Sequence, residues 1–432
     1  MTTIQFMPNN PLKPQQKTAH KTQQSALFKR LDTLLVQSRD LWQVKAFECT
    51  SLPWGTQFPR LAERVWSIAD EDIDDVDRGQ SSLIAVLLPS LTEDLMEAGL
   101  EWELSLLDIT SPLCGEPDKA LLSHRELPDS ELSHFSAGIK GRKWEQINAF
   151  AGQLTRCDSD VLEWCAGKGH LGRLIAKAHN RSVVSLEWQQ SLCEAGTDFA
   201  EQWHLPQTFI CADAFAAKQS QLKVNQQAVA LHACGDLHVE LIRLASVAGT
   251  RNIAFSPCCY HLIRAKEYEA LSRGARNSAL SLSRHDLQLP LQQSTIAGSK
   301  QQELRHREIA WRLGFDSLQR EVRGCEKYLP IPSIKQSQLS GDFNAFCLWA
   351  AQTKSVPLPE NINFEYFEQS GLKRQRLTRR VDLVAHLFRA VLEHWLLLDR
   401  VCFLEEQGYS VSLRKFCSER VTPRNSLIQA EK

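Results

Sequence analysis

The chain has 432 residues, of which 43% are hydrophobic and 23% are charged, and its formal net charge is −1. This is the composition of a globular protein with a substantial core, and it excludes a global attraction to polyanions. No run approaches the ~18 uncharged apolar residues of a membrane span, so no membrane association is predicted. The sequence does not predict a stable protein partner. Thirteen scattered cysteines, with no secretory leader before them, predict free thiols in a cytoplasmic protein.

The N-terminal part of the chain contains no motif to which we can assign a chemistry. Residues 1–24 are polar and rich in proline and glutamine, which predicts a disordered tail. Residues 25–134 predict an accessory region of mixed structure, in which leucine spacing favours a helix over Ser25–Val44. Asp70–Asp77 carries six acids in eight residues and is interpreted as a solvated loop. Ser82–Leu88 is a short apolar run of the kind found in β-strands.

From Phe150 onward, β-type apolar runs alternate with helix-compatible stretches, which predicts βαβ units and a parallel sheet. The five predicted strands are Val161–Trp164, Ser182–Leu186, Thr208–Cys211, Ala228–Leu231 and Asn252–Phe255. The helices between them are Leu171–His179, Ser191–Trp203 and Leu237–Val247. Together these elements define a predicted core over residues 135–261.

The chain ends in a pattern that completes such a sheet. In residues 376–432, a long amphipathic helix over Val381–Gln407 precedes two β-like segments, Ser410–Phe416 and Ser426–Ala430, which we expect to join the same sheet. Residues 262–375 then form an insertion that is too long for a loop and must have structure of its own. The predicted fold class is α/β: a Rossmann-like seven-stranded sheet, a mixed N-terminal accessory region and a long structured insertion before the last helix.

A glycine-rich turn follows the first predicted strand, within the segment VLEWCAGKGHLG that ends at Gly172. We expect Gly167 and Gly169 to let the backbone approach a ligand where a Cβ would clash, and Gly172 to let the next helix pack closely. Amide groups at the N-terminus of that helix would face the ligand. The glycine spacing alone also fits a dinucleotide-binding loop, so an NAD(P)-dependent oxidoreductase is one alternative.

Three acids distinguish the two cofactors. Glu163 lies inside the first strand, where the positive end of S-adenosylmethionine (SAM) would compensate a carboxylate that a pyrophosphate would repel. Glu187 ends the second strand, where an acid can accept from both ribose hydroxyls. Asp213, after the third strand, can accept from an adenine amino group. The three acids favour SAM as the cofactor, although a non-catalytic scaffold with a degenerate SAM fold is a second alternative.

Four segments carry a family resemblance: VLEWCAGKGHLG, ALHACGDLH, FSPCCYH and TPRNSLIQA. Together they resemble the class I SAM-dependent methyltransferase domain of the glutathione S-transferase C-terminal domain-containing protein and related methyltransferase-like proteins. More distantly, the chain is similar to tRNA 2′-O-methyltransferases that bear a small zinc finger. The resemblance covers about residue 135 to the C-terminus, and it implies a class I methyltransferase sheet.

The resemblance also implies which residues hold SAM. Those residues are Glu163, Gly167, Gly169, Glu187 and Asp213, to which we add their neighbours Cys165, Ala166 and Ala214 and the strand-end His232. Cys165 stands where many members of the family have the first glycine of the loop. The N-terminal part shows neither a thiol-transferase-like segment nor a zinc finger, so functions of those partner domains do not carry over.

Two predicted loops, His232–His238 and Ser256–His261, follow the fourth and fifth strands and should both face the transferred methyl group. Their residues have several interpretations. The first is that they shape the acceptor pocket, and the second is that the histidines and cysteines bind zinc, although no Cys-x-x-Cys spacing supports this. The third is that one cysteine is a nucleophile, and the fourth is that the cysteines are buried and structural. The zinc set would be His232, Cys234, Cys258, Cys259 and His261, and the nucleophile Cys234 or Cys258. We predict no metal and select as catalytic candidates His232, Asp236, Cys258 and Tyr260.

The predicted function is direct methyl transfer from SAM to an acceptor that the sequence does not identify. RNA is favoured over protein or a small molecule, because basic clusters occur at Lys140–Lys143 and Lys373–Arg380 and because of the distant tRNA-methyltransferase resemblance. For each basic cluster taken alone, the solvated face of a helix is the simpler explanation.

Overall fold

The structure is a computed structural model that describes residues 14–109, 135–155, 157–217, 221–292, 299–334 and 339–432. Its α-helices, in chain order, are α1 Pro14–Gln37, α2 Arg39–Trp42, α3 Pro59–Ser67, α4 Ile73–Asp77, α5 Gln80–Glu97, α6 Gly141–Gln153, α7 His170–His179, α8 Gln190–Gln202, α9 Asp236–Ala248, α10 Arg273–Arg276, α11 Ser299–Arg323, α12 Phe343–Lys354, α13 Phe364–His386 and α14 Arg389–Glu406. Its strands are β1 Asp160–Trp164, β2 Val183–Glu187, β3 Gln207–Cys211, β4 Gln226–Ala230, β5 Asn252–Phe255, β6 Ser410–Lys415 and β7 Ser426–Glu431. Among the helices that the structure describes, none combines the length and the hydropathy of a membrane-spanning segment.

The seven strands form one sheet in the order β3-β2-β1-β4-β5-β7-β6. β1 to β5 are parallel, with Leu162 opposite both Val184 and Ala228, whereas β7 runs antiparallel to β5 and to β6. Every residue of β4 is buried, as expected for a strand that is covered on both faces. The predicted α/β fold with a seven-stranded sheet is therefore confirmed, including the entry of both C-terminal strands into the sheet.

The strand order places the functional loops. From β1 the chain moves outward through β2 to β3, and it then returns to the other side of β1 to form β4. The loops after β1 and β4 therefore leave neighbouring strands in opposite directions, and such a switch point opens a crevice at the carboxyl ends of the strands. The glycine-rich turn and the His232 loop both lie at this point.

The chain divides into two compact units, each built from separated segments. Unit 1 comprises Met1–Asp32, Ser111–Gln288 and His394–Lys432, and unit 2 comprises Thr33–Thr110 and Leu289–Glu393. This division differs from the predicted one into residues 25–134, 135–261, 262–375 and 376–432. Most of the accessory region and most of the insertion belong to one unit, because their side chains pack together although they are far apart in the sequence.

Unit 1 contains the whole sheet. Its apolar core joins the side chains of α6 and α7 to β1, β2 and the segment around β7. Phe150 and Phe416 are both buried and meet edge to face with ring centroids 5.5 Å apart. This contact ties the helix before β1 to the C-terminal hairpin, so the two C-terminal strands are part of the core rather than an appendage.

Unit 2 is helical and has a core of its own. Its apolar cluster is rich in aromatic side chains, among them Trp311, Phe315, Phe343 and Phe346. Inside it, the fully buried carboxylate of Asp316 accepts hydrogen bonds from two arginines of α11 and α13, which compensate its burial. The expectation that the insertion has structure is confirmed by α11, α12 and α13.

The acidic segment Asp70–Asp77 is not the solvated loop that its composition suggested. Its second half is α4, and its carboxylates pair with arginines of unit 2 that lie about 300 positions later in the chain. The pairs are Asp70 with Arg376 and Arg380, Asp74 with Arg379, and Asp77 with Arg389, at 2.7–3.1 Å. Composition alone cannot show such partners, so the solvated-loop interpretation is wrong.

Three predicted N- and C-terminal elements also need correction. The run Ser82–Leu88 lies within α5 rather than in a strand, because buried leucines recur every four residues along that helix. The predicted tail over residues 1–24 is wrong from Pro14 onward, since α1 begins there with a proline that is favourable at a helix start, and residues 1–13 lie outside the described part. The single helix predicted over Val381–Gln407 is two helices, α13 and α14.

Candidate active site

The glycine-rich turn begins directly after β1. Cys165, Gly167 and Gly169 all have positive φ values, of +56°, +60° and +66°. A Cβ built on Gly167 would meet no atom within 4 Å, so this residue borders open space, whereas one on Gly169 would lie 2.4 Å from Gln207. The sequence explained Gly169 by the close approach of a ligand, and the structure corrects this explanation. A glycine is required here because a Cβ would clash with side chains of the sheet. A Cβ on Gly172 would lie 2.4 Å from a carboxylate oxygen of Glu163, in line with its predicted packing role.

Glu163 is buried beneath the turn and finds its partners within the protein. Its carboxylate accepts a 2.7 Å hydrogen bond from the Ser185 hydroxyl and further hydrogen bonds from the backbone N–H groups of Leu171 and Gly172. Burial raises the pKa of this carboxyl to about 7, although these hydrogen bonds and Arg173 favour the ionised form. The N-terminal amides of α7 thus compensate the carboxylate, which explains its burial without the positive end of a cofactor.

Glu187 ends β2 and connects it to the glycine-rich turn. Its buried carboxylate accepts from the N–H of Gly167 at 2.9 Å and from the N–H of Gln189 at 3.0 Å. A carboxylate has about four lone-pair positions, so acceptor capacity is left for other donors. The next residue, Trp188, has a side chain that is 68% exposed, and it was not identified from the sequence. The available signal was a large aromatic residue directly after a strand-end acid.

The loop after β3 carries Asp213 on the surface and Ala214 in the interior. One oxygen of the Asp213 carboxylate accepts from the N–H of Phe215 at 2.9 Å, which holds the loop in a tight turn. The Phe215 ring lies 4.7 Å from the guanidinium of Arg264, in the loop after β5. Because Ala214 is buried, only its backbone is available to a ligand.

A cavity of about 480 Å³ borders the glycine-rich turn. It is lined by Cys165, Ala166, Gly167 and His232, by Lys140, Arg142, Lys143 and Gln146 at the start of α6, and by Val421 and Thr422 before β7. The size is within the usual range for small-molecule sites. The structure therefore brings His232 and part of the predicted cofactor loop together with the first basic cluster. Gln146, Val421 and Thr422 were not identified from the sequence, where they carry no motif.

His232 is in contact with solvent at this cavity. Desolvation by the cavity walls and then the charge of Lys143 lower the pKa of its imidazole, which is therefore neutral near pH 7. A neutral imidazole is able to accept a proton.

Two other catalytic candidates are not among the residues that line the cavity. The carboxylate of Asp236, the first residue of α9, accepts from the N–H of Arg264 at 2.7 Å and so fixes the loop after β5. Tyr260 is 1% exposed, with its ring centroid 5.2 Å from the guanidinium of Arg400. Both arrangements are those of structural side chains.

The remaining catalytic candidate, Cys258, is buried in a cluster of thiols. The Sγ atoms of Cys234 and Cys258 are 3.3 Å apart, and those of Cys234, Cys258 and Cys259 all lie within 4.8 Å of one another. Hydrogen bonds from the other two thiols lower the pKa of Cys259, and the contacts with both neighbours raise that of Cys258. The sequence placed these cysteines in two loops, but only the fold shows that the two loops meet.

A buried network of hydrogen bonds holds the loops after β4 and β5 in place. Arg400 donates from Nε to Nε2 of His238 at 2.7 Å, so the imidazole proton is assigned to Nδ1, which donates to the carbonyl of Ala233. The neighbouring Asp399 accepts from the Tyr268 hydroxyl and from two backbone N–H groups after β5. No sequence pattern predicts this network, because the hydrogen bonds that Asp399 and Arg400 make to it join residues more than 120 positions apart.

Residues 142–266 match the protein-family model described as a methyltransferase domain. The chain contains a methyltransferase domain. The match covers less than a third of the chain but includes β1 to β5 and every predicted site residue, and the strand order is that of a class I methyltransferase sheet. The predicted methyltransferase class is thereby confirmed, and SAM as the methyl donor stays a prediction. The narrower resemblance to the glutathione S-transferase C-terminal domain-containing protein stays a prediction.

Solved methyltransferase structures are similar to part of this chain. Geranyl diphosphate C-methyltransferase from Streptomyces coelicolor A3(2) is 15% identical over 36% of this chain and 59% of its own, with a TM-score of 0.25. An rRNA methylase from Streptococcus thermophilus is 13% identical over 28% and 73%, with a TM-score of 0.21. Magnesium protoporphyrin IX methyltransferase from Synechocystis PCC 6803 is 10% identical over 32% and 63%, with a TM-score of 0.21.

This chain spans less than two thirds of the length of the geranyl diphosphate and protoporphyrin enzymes. The three proteins are named for chemically unrelated acceptors. Their similarity therefore does not identify the acceptor of this chain, which has to be inferred from its own residues.

Proposed function

We propose that this chain transfers a methyl group from SAM directly to RNA. The observation that carries this proposal is the cavity beside Gly167, which is lined by Lys140, Arg142 and Lys143. All three side chains are exposed, and within the described residues none of them forms an ion pair. Unpaired cations at the rim of a site attract phosphate groups and orient a polyanion as it approaches.

The glycine-rich turn fits SAM in two respects. Space is open at Gly167 where any other residue would place a Cβ, and Glu187 retains acceptor capacity for ribose hydroxyls. The exposed indole of Trp188, next to Glu187, is available to stack on adenine, and Asp213 to accept from its amino group. Bound SAM supplies a methyl group on a positively charged sulfur, ready for in-line displacement.

The residues of this chain then have two tasks. The first is to position the acceptor, which alone lowers a barrier by roughly 7–11 kcal/mol when the geometry is correct. The second is to receive a proton where the acceptor atom carries one. His232 suits this second task because it lines the cavity and its imidazole is neutral near pH 7. Asp236 and Tyr260 are less suited because of their structural contacts.

The second basic cluster, Lys373–Arg380, does not support the RNA proposal. Within unit 2, Arg374 pairs with Asp316, Arg379 with Asp74, and Arg376 and Arg380 with Asp70. Each of these four arginines is held in an ion pair within the protein, so the RNA proposal depends on the cluster at Lys140–Lys143. Cytoplasmic localisation remains a prediction from the sequence.

A transfer and binding experiment tests the proposal. The full chain is incubated with methyl-tritiated SAM and separately with fractionated RNA, protein and small molecules, and we expect label in RNA. RNA binding is then measured at about 50–200 mM salt, where phosphate contacts dominate the salt dependence. A triple alanine variant of Lys140, Arg142 and Lys143 should bind RNA more weakly and with a shallower dependence on salt.

The matched control replaces three exposed lysines elsewhere, Lys223, Lys266 and Lys373, with alanine, and it should bind RNA like the parent chain. Equal RNA binding by the two triple variants, or label in the protein or small-molecule fraction alone, would overturn the RNA proposal. The methyltransferase assignment would be unaffected by that outcome.

A further inference from the structure

The thiol cluster of Cys234, Cys258 and Cys259 has the dimensions of a metal site. The Sγ atoms of Cys234 and Cys258 are 3.3 Å apart, and the three Sγ atoms lie within 4.8 Å of one another. A Zn–S bond of about 2.3 Å places two sulfurs of a tetrahedral site about 3.8 Å apart. The Cys234–Cys258 separation is shorter than this value by about 0.5 Å and no pair of the three sulfurs exceeds it by more than about 1 Å, so small side-chain rotations suffice to surround an ion.

The two loops that carry these cysteines are hydrogen-bonded to each other. The N–H of Gly235 donates to the carbonyl of Cys258 at 3.1 Å, and the N–H of Asp236 donates to the carbonyl of Leu262 at 3.1 Å. The sulfurs are therefore brought together by the backbone before any ion binds. A preorganised set of soft thiolate ligands favours zinc over magnesium or calcium, which prefer oxygen.

A nitrogen ligand is available for the fourth position. His261 follows Cys259 by two residues in the same loop, and its ring nitrogens lie outside the group of ligand atoms within 4.8 Å of one another, so its side chain has to turn towards the sulfurs to coordinate. Nδ1 of His261 is buried and has no hydrogen-bond partner among the described residues. A buried polar atom without a partner is costly, and coordination to an ion would satisfy it. Three cysteines and one histidine form a ligand set known from structural zinc sites.

We propose that Cys234, Cys258 and Cys259 bind one zinc ion, and that the His261 side chain turns towards them to supply the fourth ligand. Three thiols release three protons as they coordinate, which leaves a net charge of −1 on the site. The ion joins the loop after β4 to the loop after β5. The ion would have a structural role, whichever acceptor is methylated. The sequence had favoured a site without a metal.

Metal binding by the full chain tests the proposal. The chain is purified without chelators and its zinc content is measured, with about one ion per chain expected for a single site. Cobalt(II) alone is then added to the metal-free chain as a spectroscopic probe. We expect saturation at one equivalent, with a sulfur-to-cobalt charge-transfer band and the visible bands of a tetrahedral ion. A chain that contains no zinc and gives no charge-transfer band would overturn the proposal.

Single substitutions locate the site. Cys234→Ser and Cys259→Ser should weaken zinc binding by more than about 100-fold, beyond the usual cost of losing a partner outside the ligand shell. Cys325→Ser is the matched control, because this partly buried cysteine lies in unit 2, and it should bind zinc normally. Equal zinc affinity of the cluster variants and the control would contradict the assignment.

A conservative exchange at His261 distinguishes loss of a metal ligand from unfolding of the chain. His261→Cys keeps a ligand at the fourth position and should retain cobalt with a stronger charge-transfer band, whereas His261→Ala should lose affinity. Cobalt spectra that are unchanged in both variants would reject His261 as a ligand. Detection of a stable Cys234–Cys258 disulfide in protein kept under reducing conditions would reject the zinc site altogether.

Discussion

The carboxylate of Glu187 accepts a 2.9 Å hydrogen bond from the backbone N–H of Gly167. One side chain at the end of β2 thus fixes the conformation of the turn after β1. In the proposed complex the same carboxylate accepts from the ribose hydroxyls. Cofactor binding and the shape of the glycine-rich turn are therefore coupled through a single acid.

Substitutions at two glycines should separate cofactor binding from stability. Gly167→Ala places a methyl group in open space at a positive φ, so the chain should fold with a loss of about 1 kcal/mol while SAM binding weakens strongly. Gly172→Ala pushes a methyl group against the Glu163 carboxylate, so the main loss should be in the free energy of unfolding. Urea denaturation and calorimetric titration with S-adenosylhomocysteine measure the two effects. The same pattern in both variants would contradict our description of the turn.

The buried carboxyl of Glu163 should make stability depend on pH. Its pKa is raised from 4.5 to about 7, so between these values the native chain holds a proton that the unfolded chain has released. Stability should therefore fall as the pH rises through this range, and this fall should be smaller by a few kcal/mol in Glu163→Gln. Urea denaturation at pH 5 and pH 8 measures it. Glu201→Gln, at an exposed position, should keep the slope of the parent chain.

Loss of Asp399 should destabilise the chain far more than loss of a surface acid. Asp399→Ala leaves the buried N–H groups of Leu271 and Ser272 without an acceptor, at about 1–3 kcal/mol each, and removes the partner of the Tyr268 hydroxyl. Glu269→Ala, which removes an exposed ion pair with Arg243, should cost less than about 1 kcal/mol. Similar urea midpoints for the two variants would show that the Asp399 network contributes little.

The pH profile of methyl transfer should identify the role of His232. Its pKa is lowered below the ordinary 6.5, so an activity that needs the neutral imidazole should be lost only as the pH falls below 6.5. His232→Ala should lower kcat and abolish this acidic limb. His232→Gln keeps a polar side chain that cannot accept a proton, so it should abolish the limb as well. An acidic limb that persists unchanged in both variants would assign the base to another group.

Direct transfer should leave no covalent link between protein and RNA. The thiols of Cys234 and Cys258 contact each other, and both lie outside the cavity lining, which argues against attack on a substrate base. RNA substituted with 5-fluorocytosine should therefore give no adduct on denaturing gels. A trapped adduct, with the modified cysteine identified by peptide mass, would replace direct transfer by nucleophilic catalysis.

Much of the sheet was predictable because its signals are local. Runs such as Asn252–Phe255 are apolar, short and bounded by helical patterns, and the glycine-rich turn has a spacing with a physical meaning. The partners of these elements were less accessible. Glu163 was assigned to a cofactor because its actual partner, Ser185, lies on another strand and cannot be recognised from the local sequence. The acids around Asp74 were interpreted as solvated because their partner Arg379 lies about 300 residues away. The meeting of Cys234 with Cys258 likewise depends on the order of strands, which local patterns do not encode.

The interleaving of the two units has a consequence for synthesis on the ribosome. Thr33–Thr110 emerges first, but residues 111–288 must be translated before the rest of unit 2 begins at Leu289. At ~5–20 residues per second, this delay is on the order of ten to thirty seconds. Throughout it, α5, whose Leu83 and Leu87 are buried in the finished unit, has its neighbours α3 and α4 but lacks its later partner α13. The nascent chain is therefore a natural client for chaperones, and no single cut in the gene would release either unit whole.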